Sequence, residues 1–222
     1  MCGRYNVLPD LNAWLAILGP LRDVINDPDF WKPRYNITPS QWVPVVRSTI
    51  GGDELVIDKA RWGFVPHWVR DEKPKMQPIN ARDDSVVSKP YFRDSFRHRR
   101  CLFPASGFYE WQTTGGSKQP YNIGMADGSP FLMAGIWDNW NGDDTAAIIT
   151  TSANALMAPI HDRMPVIVSP DSVRAWLFGE PPEELLKPFA PDQMRAYRIS
   201  KAVNNPRHDS PDVLVPVDGP DK

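Results

Sequence analysis

Proline sets the first limit on what this chain can become. Twenty-four of its 222 residues are proline, scattered from Pro9 to Pro220 with no internal repeat and no low-complexity linker. Each removes a backbone N–H and interrupts a helix, so the sequence predicts many short strands and turns rather than a helical bundle. The length admits one sizeable core or at most two small ones. With 41% hydrophobic and 23% charged residues, the chain has the balance of an ordinary globular protein and no signature of disorder.

The apolar segments fit that limit. WVPVVRSTI and ELVIDKARW flank Gly51-Gly52 as a predicted hairpin, and RCLFPASGFYEW, PYNIGM, FLMAGIWDNW and TAAIITT follow as strands separated by glycine-containing turns. MPVIVS and AYRIS read as later strands. Helices are few. Leu11, Trp14, Leu15 and Leu18 fall at helical spacing ahead of Gly19-Pro20. Ser88 is placed to cap a second helix, with Pro90 in its first turn and Phe92 and Phe96 on one face. Short helices are expected over Pro170–Leu177 and around EELL. Short connections favour antiparallel pairing. The predicted fold is therefore α+β: a single domain over residues 1–208 with a curved, barrel-like, mainly antiparallel β core and short flanking helices. Residues 209–222, rich in Pro and Asp, are expected to be a loose tail.

Several function classes are excluded by what is missing. No apolar run is long enough to span a membrane, and MCGRYNVLPD has no basic region followed by an apolar stretch. The expected location is cytoplasmic: nucleoid-associated in a bacterium, nuclear in a eukaryote. Cys2 and Cys101 form no CxxC pair, and His67, His98 and His208 lack ligand spacing, so no metal and no cofactor are expected. A formal net charge of −2 argues against a broad nucleic-acid-coating surface but leaves room for a local groove. Arg93, Arg97, Arg99 and Arg100 form one basic cluster, which reads equally as a solvated face.

A few residues could carry chemistry. Initiator methionine is usually trimmed before a small second residue, which would leave Cys2 with an α-amine beside its thiol. The two groups titrate at roughly 7.7–8.0 and about 8.5, so each has a reactive fraction near neutrality. Together they can condense with an aldehyde to an imine and close a thiazolidine ring. A cysteine at position 2 is, taken alone, more often incidental. Glu110, among Phe108, Tyr109 and Trp111, is a candidate proton shuttle if burial raises its pKa, or a solvent-facing strand carboxylate if not. His161, beside Asp162 and Arg163, reads as a general acid or base or as a turn residue. Asn80 could position a reacting group and Arg82 clamp a phosphate. Trp68 could stack on an unpaired base, although a core role is the default for tryptophan.

The order of these segments says more than any one of them. MCGRY, YNITPSQ (35–41), WGFVPHW (62–68), NAR (80–82), RCLFPASGFYEW (100–111), AGIW (134–137) and TTSAN…IHDRMPVIV (150–168) together resemble the SRAP (SOS-response-associated peptidase) family over nearly the whole chain. The resemblance implies a barrel-like α+β domain with a positively charged DNA groove. It also implies an autopeptidase-like protein that removes Met1 and cross-links Cys2 to abasic sites in single-stranded DNA as a thiazolidine, a lyase-like chemistry on the abasic aldehyde. Cys2 is then the nucleophile, Asn80 positions the reacting terminus, Glu110 handles protons and His161 assists opening of the sugar or protonation of the imine. Arg82 and Arg163 would hold phosphates, Trp68 would stack on a base, and Arg4, Asn6, Thr150 and Thr151 are further expected DNA contacts. The expected partner is single-stranded DNA with abasic sites, and the expected state is a monomer. Two departures touch the DNA side: DDS follows NAR where a small residue, an acid and a threonine are expected, and His67 replaces a more usual serine. Two other readings stay open: a thiol peptidase or hydrolase using Cys2, His161 and Glu110, and a non-covalent single-stranded DNA-binding protein in which Cys2 is incidental.

Overall fold

A computed structural model describes residues 2–8, 11–19, 21–49 and 52–217. In chain order its elements are β1 (Tyr5–Val7), α1 (Leu11–Leu18), β2 (Asp23–Val24), β3 (Arg34–Ile37), β4 (Trp42–Ser48), β5 (Leu55–Trp62), β6 (Asn80–Arg82), α2 (Asp83–Val86) and α3 (Arg93–His98). There follow β7 (Arg100–Ala105), β8 (Gly107–Thr114), β9 (Ser117–Met125), β10 (Phe131–Trp140), β11 (Asp143–Ser152), β12 (Arg163–Pro165), β13 (Ile167–Val168), α4 (Val173–Leu177) and β14 (Met194–Arg198).

The barrel closes through one parallel contact. Antiparallel pairs run β5–β4–β7–β10–β11, and β11 returns to β5 through Thr145↔Arg61 and Ala146↔Trp62. A second sheet, in the order β14-β9-β8-β1-β3, lies against it. Antiparallel pairing dominates, as the short connections predict. Two prolines sit inside barrel strands rather than in turns: Pro44 opposite Lys59, and Pro104 opposite Leu132. The β4–β7 pairing covers Val46↔Leu102 and Arg47↔Cys101, so both prolines lie past it. There a missing N–H costs no ladder bond.

Both faces of the barrel wall are buried. Along β10, Phe131, Met133 and Trp137 join the cluster that holds Cys2, Tyr5 and Phe108, whereas Leu132, Ala134 and Ile136 join a second cluster with Phe96 and Trp176 from the helices. Strands covered on both sides read as continuous apolar runs, which explains FLMAGIW. Gly135 is required here: a Cβ would lie 2.4 Å from the Phe103 ring and 3.0 Å from the Ala147 carbonyl.

The helices differ from the predicted ones in detail. In α1, Trp14 and Leu18 are buried and Ile17 packs beside them, while Leu15 is exposed; the side chain of Leu11 lies outside the described residues. Ser88 does not cap α3. Its N–H closes a turn on Ser85, and the helix starts five residues later, with Phe92 and Phe96 buried as expected. The basic cluster disperses. Arg100 is buried and donates to carbonyls of Phe96, Arg97, Trp176 and Gly179, tying together the C-terminal ends of α3 and α4. Arg99 pairs with Asp94 and Asp138, which leaves Arg93 and Arg97 exposed.

The expected loose tail is in fact held down as far as residue 217. Asp209 accepts the backbone N–H groups of Tyr35 and Asn36, Val213 is fully buried against Tyr109 and Val203, and Pro216 bridges to Ile199. An apolar valine and a carboxylate that answers two strand donors outweigh the proline-rich composition. Residues 218–222 lie outside the described residues. Within the described residues, no helix is long and apolar enough to cross a membrane.

Candidate active site

The segment ahead of β1 is drawn into the seam between the two sheets. Tyr5 pairs with both Ile37 and Phe108, and its ring meets Trp62 edge-on at 5.3 Å. Cys2 is thereby fully buried. Its carbonyl accepts a 2.9 Å hydrogen bond from Asn80 Nδ2. Asn80 is carried there by β6, which runs parallel beside β11 through Ile148↔Asn80. Burial, reinforced by the nearby Glu110 carboxylate, pushes the Cys2 thiol well above its ordinary range.

Glu110 comes from β8, the strand paired to β1. It is 2% exposed despite its charge. Burial raises its pKa, while the terminal amine and the neighbouring His161 oppose the rise. The sequence left open whether this carboxylate points to water; it points inward. Glu110 and His161 share a cavity of about 530 Å3 whose other walls are Trp111, Thr113, Lys118 and Asn204. His161 Nδ1 lies 3.0 Å from the backbone N–H of Arg163 and 2.9 Å from Asp162 Oδ1. A neutral ring with bare Nδ1 accepts from Arg163, and a ring protonated there donates to Asp162. Either way Nδ1 is engaged within its own turn. The sequence readings thus converge: Cys2, Asn80, Glu110 and His161 come from four separate stretches of the chain to one seam.

The expected DNA contacts divide differently. Trp68 is 47% exposed, with Tyr91 edge-on at 5.8 Å. Arg82 is also exposed and forms a bidentate pair with Asp84, its closest approach 2.7 Å. The remaining five face inward. Asn6 is buried between Tyr109 Oη and Asn122 Oδ1, at 3.0 and 3.1 Å. Gly107 allows that network, because a Cβ would stand 2.5 Å from Asn122 Oδ1. Arg4 donates to Asn36 Oδ1 and to the carbonyls of Val203 and Asn204. Thr150 and Thr151 are buried; Thr151 Oγ1 donates to Asp83 at 2.7 Å. Arg163 is buried on Asp83 at 2.7 Å and on the Thr150 carbonyl at 2.5 Å. Motif position did not report the carboxylates, amides and carbonyls that satisfy them from distant segments.

Sequence reasoning also missed residues that build the site. Trp111 Nε1 donates to Asn204 Oδ1 at 2.7 Å, and Asn36 Nδ2 donates to carbonyls of Val203 and His208, so the chain after residue 200 walls the cavity. Lys118 reaches it because the β8–β9 hairpin sets Thr113 opposite Lys118, a register readable from the Gly115-Gly116 turn. Within the described residues, no group of three or more His, Cys, Asp or Glu is placed to hold a metal.

Comparison with known proteins places the chain in a family. The family model for SOS response associated peptidase (SRAP) matches residues 1–206. The abasic site processing protein YoqW of Bacillus subtilis is 34% identical, with 96% of this chain and 99% of that protein covered. YedK of Escherichia coli, also named an abasic site processing protein, is 31% identical over 98% of this chain and all of its own length. A crystal structure of a Bacteroides thetaiotaomicron protein superposes with a TM-score of 0.84 at 28% identity, covering 97% of this chain and 100% of the other.

Proposed function

The chain belongs to the SRAP family, and from that premise we propose that it processes abasic sites in single-stranded DNA by forming a thiazolidine cross-link through Cys2. The observation that carries this reading is the convergence on one seam of a buried Cys2, the Asn80 amide on its carbonyl, and a buried Glu110 sharing a cavity with His161.

The reaction needs no cofactor. Hydrolysis of the Met1–Cys2 peptide bond frees the α-amine, a self-processing step in which Glu110 carries protons. Met1 itself lies outside the described residues. The amine adds to the aldehyde carbon of the ring-opened sugar, and the carbinolamine loses water to give an imine. Cys2 Sγ then bonds to the imine carbon while its proton passes to nitrogen. The aldehyde oxygen leaves as water, and nothing is oxidised or reduced. Burial raises the pKa of the thiol, which favours an order in which the amine attacks first and sulfur closes the ring second.

Asn80 fixes the Cys2 carbonyl and so the direction of the new terminus. Glu110, its pKa raised by burial, keeps a proton available for loss of water from the carbinolamine. His161 protonates the ring oxygen of the cyclic hemiacetal, from which the aldehyde must form. Arg82 and Trp68 serve the strand on either side, one by phosphate contact and one by stacking. The protein acts as a monomer wherever the cell keeps its DNA.

A thiol-peptidase reading is disfavoured by the same thiol. Such nucleophiles work with a depressed pKa, and this one is raised. The test is incubation with an abasic single-stranded oligonucleotide followed by denaturing electrophoresis. A heat-stable adduct formed without reductant is expected; its absence from a folded protein that has lost Met1 would overturn the proposal.

A further inference from the structure

Two acids of one short turn stand on the two arginines nearest the site. Arg82 lies two residues after Asn80, and Arg163 two residues after His161. They flank the end of β11 on opposite edges, paired as Thr150↔Arg82 and Ser152↔Arg163. A DNA strand whose sugar reaches Cys2 carries a phosphate on each side of that sugar, so its backbone must pass this edge. Asp83 reaches across it. One carboxylate oxygen accepts from Arg163 at 2.7 Å and the other from Thr151 at 2.7 Å. Asp84 takes the exposed Arg82 in bidentate fashion.

We propose that Asp83 and Asp84 set the affinity of this protein for the DNA backbone, each carboxylate holding on its arginine the place that a phosphate of the bound strand would take. The inference rests on the function proposed above. Binding then exchanges one anion for another: the phosphate gains an arginine, and the released carboxylate must be resolvated and takes up a counterion. A guanidinium presents the same planar fork to a carboxylate and to a phosphate, so the exchange needs little movement. The two pairs differ in accessibility. Arg163 and Asp83 are 10% and 20% exposed, whereas Arg82 and Asp84 are both 54% exposed. The outer pair opens first, and the inner pair opens only when a phosphate is already close. The acids thereby favour a strand committed to the site over incidental contact with undamaged DNA.

The test compares the parent with Asp83→Asn and Asp84→Asn on an undamaged single-stranded oligonucleotide by fluorescence anisotropy across a salt series. Asp84→Asn should bind about fivefold tighter at low salt, the worth of one exposed ion pair no longer competing, and Asp83→Asn should shift in the same direction. Each should also steepen the dependence of log affinity on log salt by about 0.7, one more counterion released. Unchanged or weaker binding with an unchanged slope, in variants that retain the parental circular dichroism, would overturn the proposal. Should Asp83→Asn fail to fold for want of a partner to buried Arg163, the exposed Asp84→Asn decides alone by the same criteria. Cross-linking to abasic DNA is scored in the same samples. A parent that cross-links while the variants fail to tighten sinks only this inference, whereas a parent that forms no adduct sinks the reading beneath it.

Discussion

The seam around Cys2 and the edge formed by Arg82 and α2 are joined through β6 and are built on opposite principles. At the seam, polar groups are few, buried and aimed: Asn80 meets one carbonyl, and Glu110 is held almost without water. At the edge, charges are many and already answered: Arg82 by Asp84, Arg163 by Asp83. The seam is dry because it lies between two sheets, and dryness is what perturbs its thiol and its carboxyl. The edge grades from the buried Arg163–Asp83 pair to the exposed Arg82–Asp84 pair, and what matters there is which anion an arginine holds. The proposed function thus puts bond-making chemistry in the buried part of the fold and DNA affinity in the more exposed part.

The comparison breaks most sharply at Cys2. Cys2→Ala should fold and bind DNA yet form no heat-stable adduct, a complete loss in the gel assay, while Cys101→Ala should cross-link normally. A folded Cys2→Ala that still cross-links without reductant would move the chemistry away from the seam. Trp68→Ala should weaken single-strand binding by about 1–3 kcal/mol, read by anisotropy, and leave thermal stability near the parental value. Gly135→Ala should do the reverse. The added methyl meets the Phe103 ring and the Ala147 carbonyl, an overpacking that costs about 1–3 kcal/mol in denaturant unfolding, while residual folded protein keeps its DNA affinity.

Much of this was legible in the sequence, and the illegible part has one cause. Strand segments such as FLMAGIWDNW and TAAIITT, and the ring of motifs from MCGRY to IHDRMP, declare themselves by local pattern. Cys2, Glu110 and His161 were each ambiguous alone and were singled out only by the order of the motifs that carry them. The surroundings of Arg163 were illegible, because they are decided by Asp83, eighty residues earlier, and by a strand register that no local pattern reports. The partners of Arg4 and Asn6 were illegible for the same reason, since Asn36, Asn122 and Val203 arrive from other segments. Asp and Pro in residues 209–222 suggested a tail; the two strand N–H groups that Asp209 satisfies lie far back in β3.

Two smaller effects sharpen the seam itself. His161→Ala should slow reaction with ring-closed abasic sites much more than with a simple aldehyde, by up to about 10²-fold for a general acid. Equal slowing of both would leave His161 without its sugar-opening role. Glu110→Gln should slow cross-linking and flatten the decline in rate expected as pH rises through the raised pKa of Glu110. Its stability has the opposite sign. A carboxyl whose folded pKa is raised above 4.5 costs stability increasingly as pH climbs from that value towards the folded pKa, and the cost is constant beyond. Glu110→Gln should therefore be the more stable protein at neutral pH and lose that advantage in acid. Thermal denaturation at both pH values checks the sign.

The central claim is that the bond forms at the terminus exposed by loss of Met1. Intact and tandem mass spectrometry of the adduct with an abasic single-stranded oligonucleotide tests it most directly. The expected mass is that of the chain without Met1 plus the oligonucleotide minus one water, with every modified fragment containing Cys2. An adduct mapped to a lysine or to Cys101, or one formed while Met1 is still attached, would contradict the account.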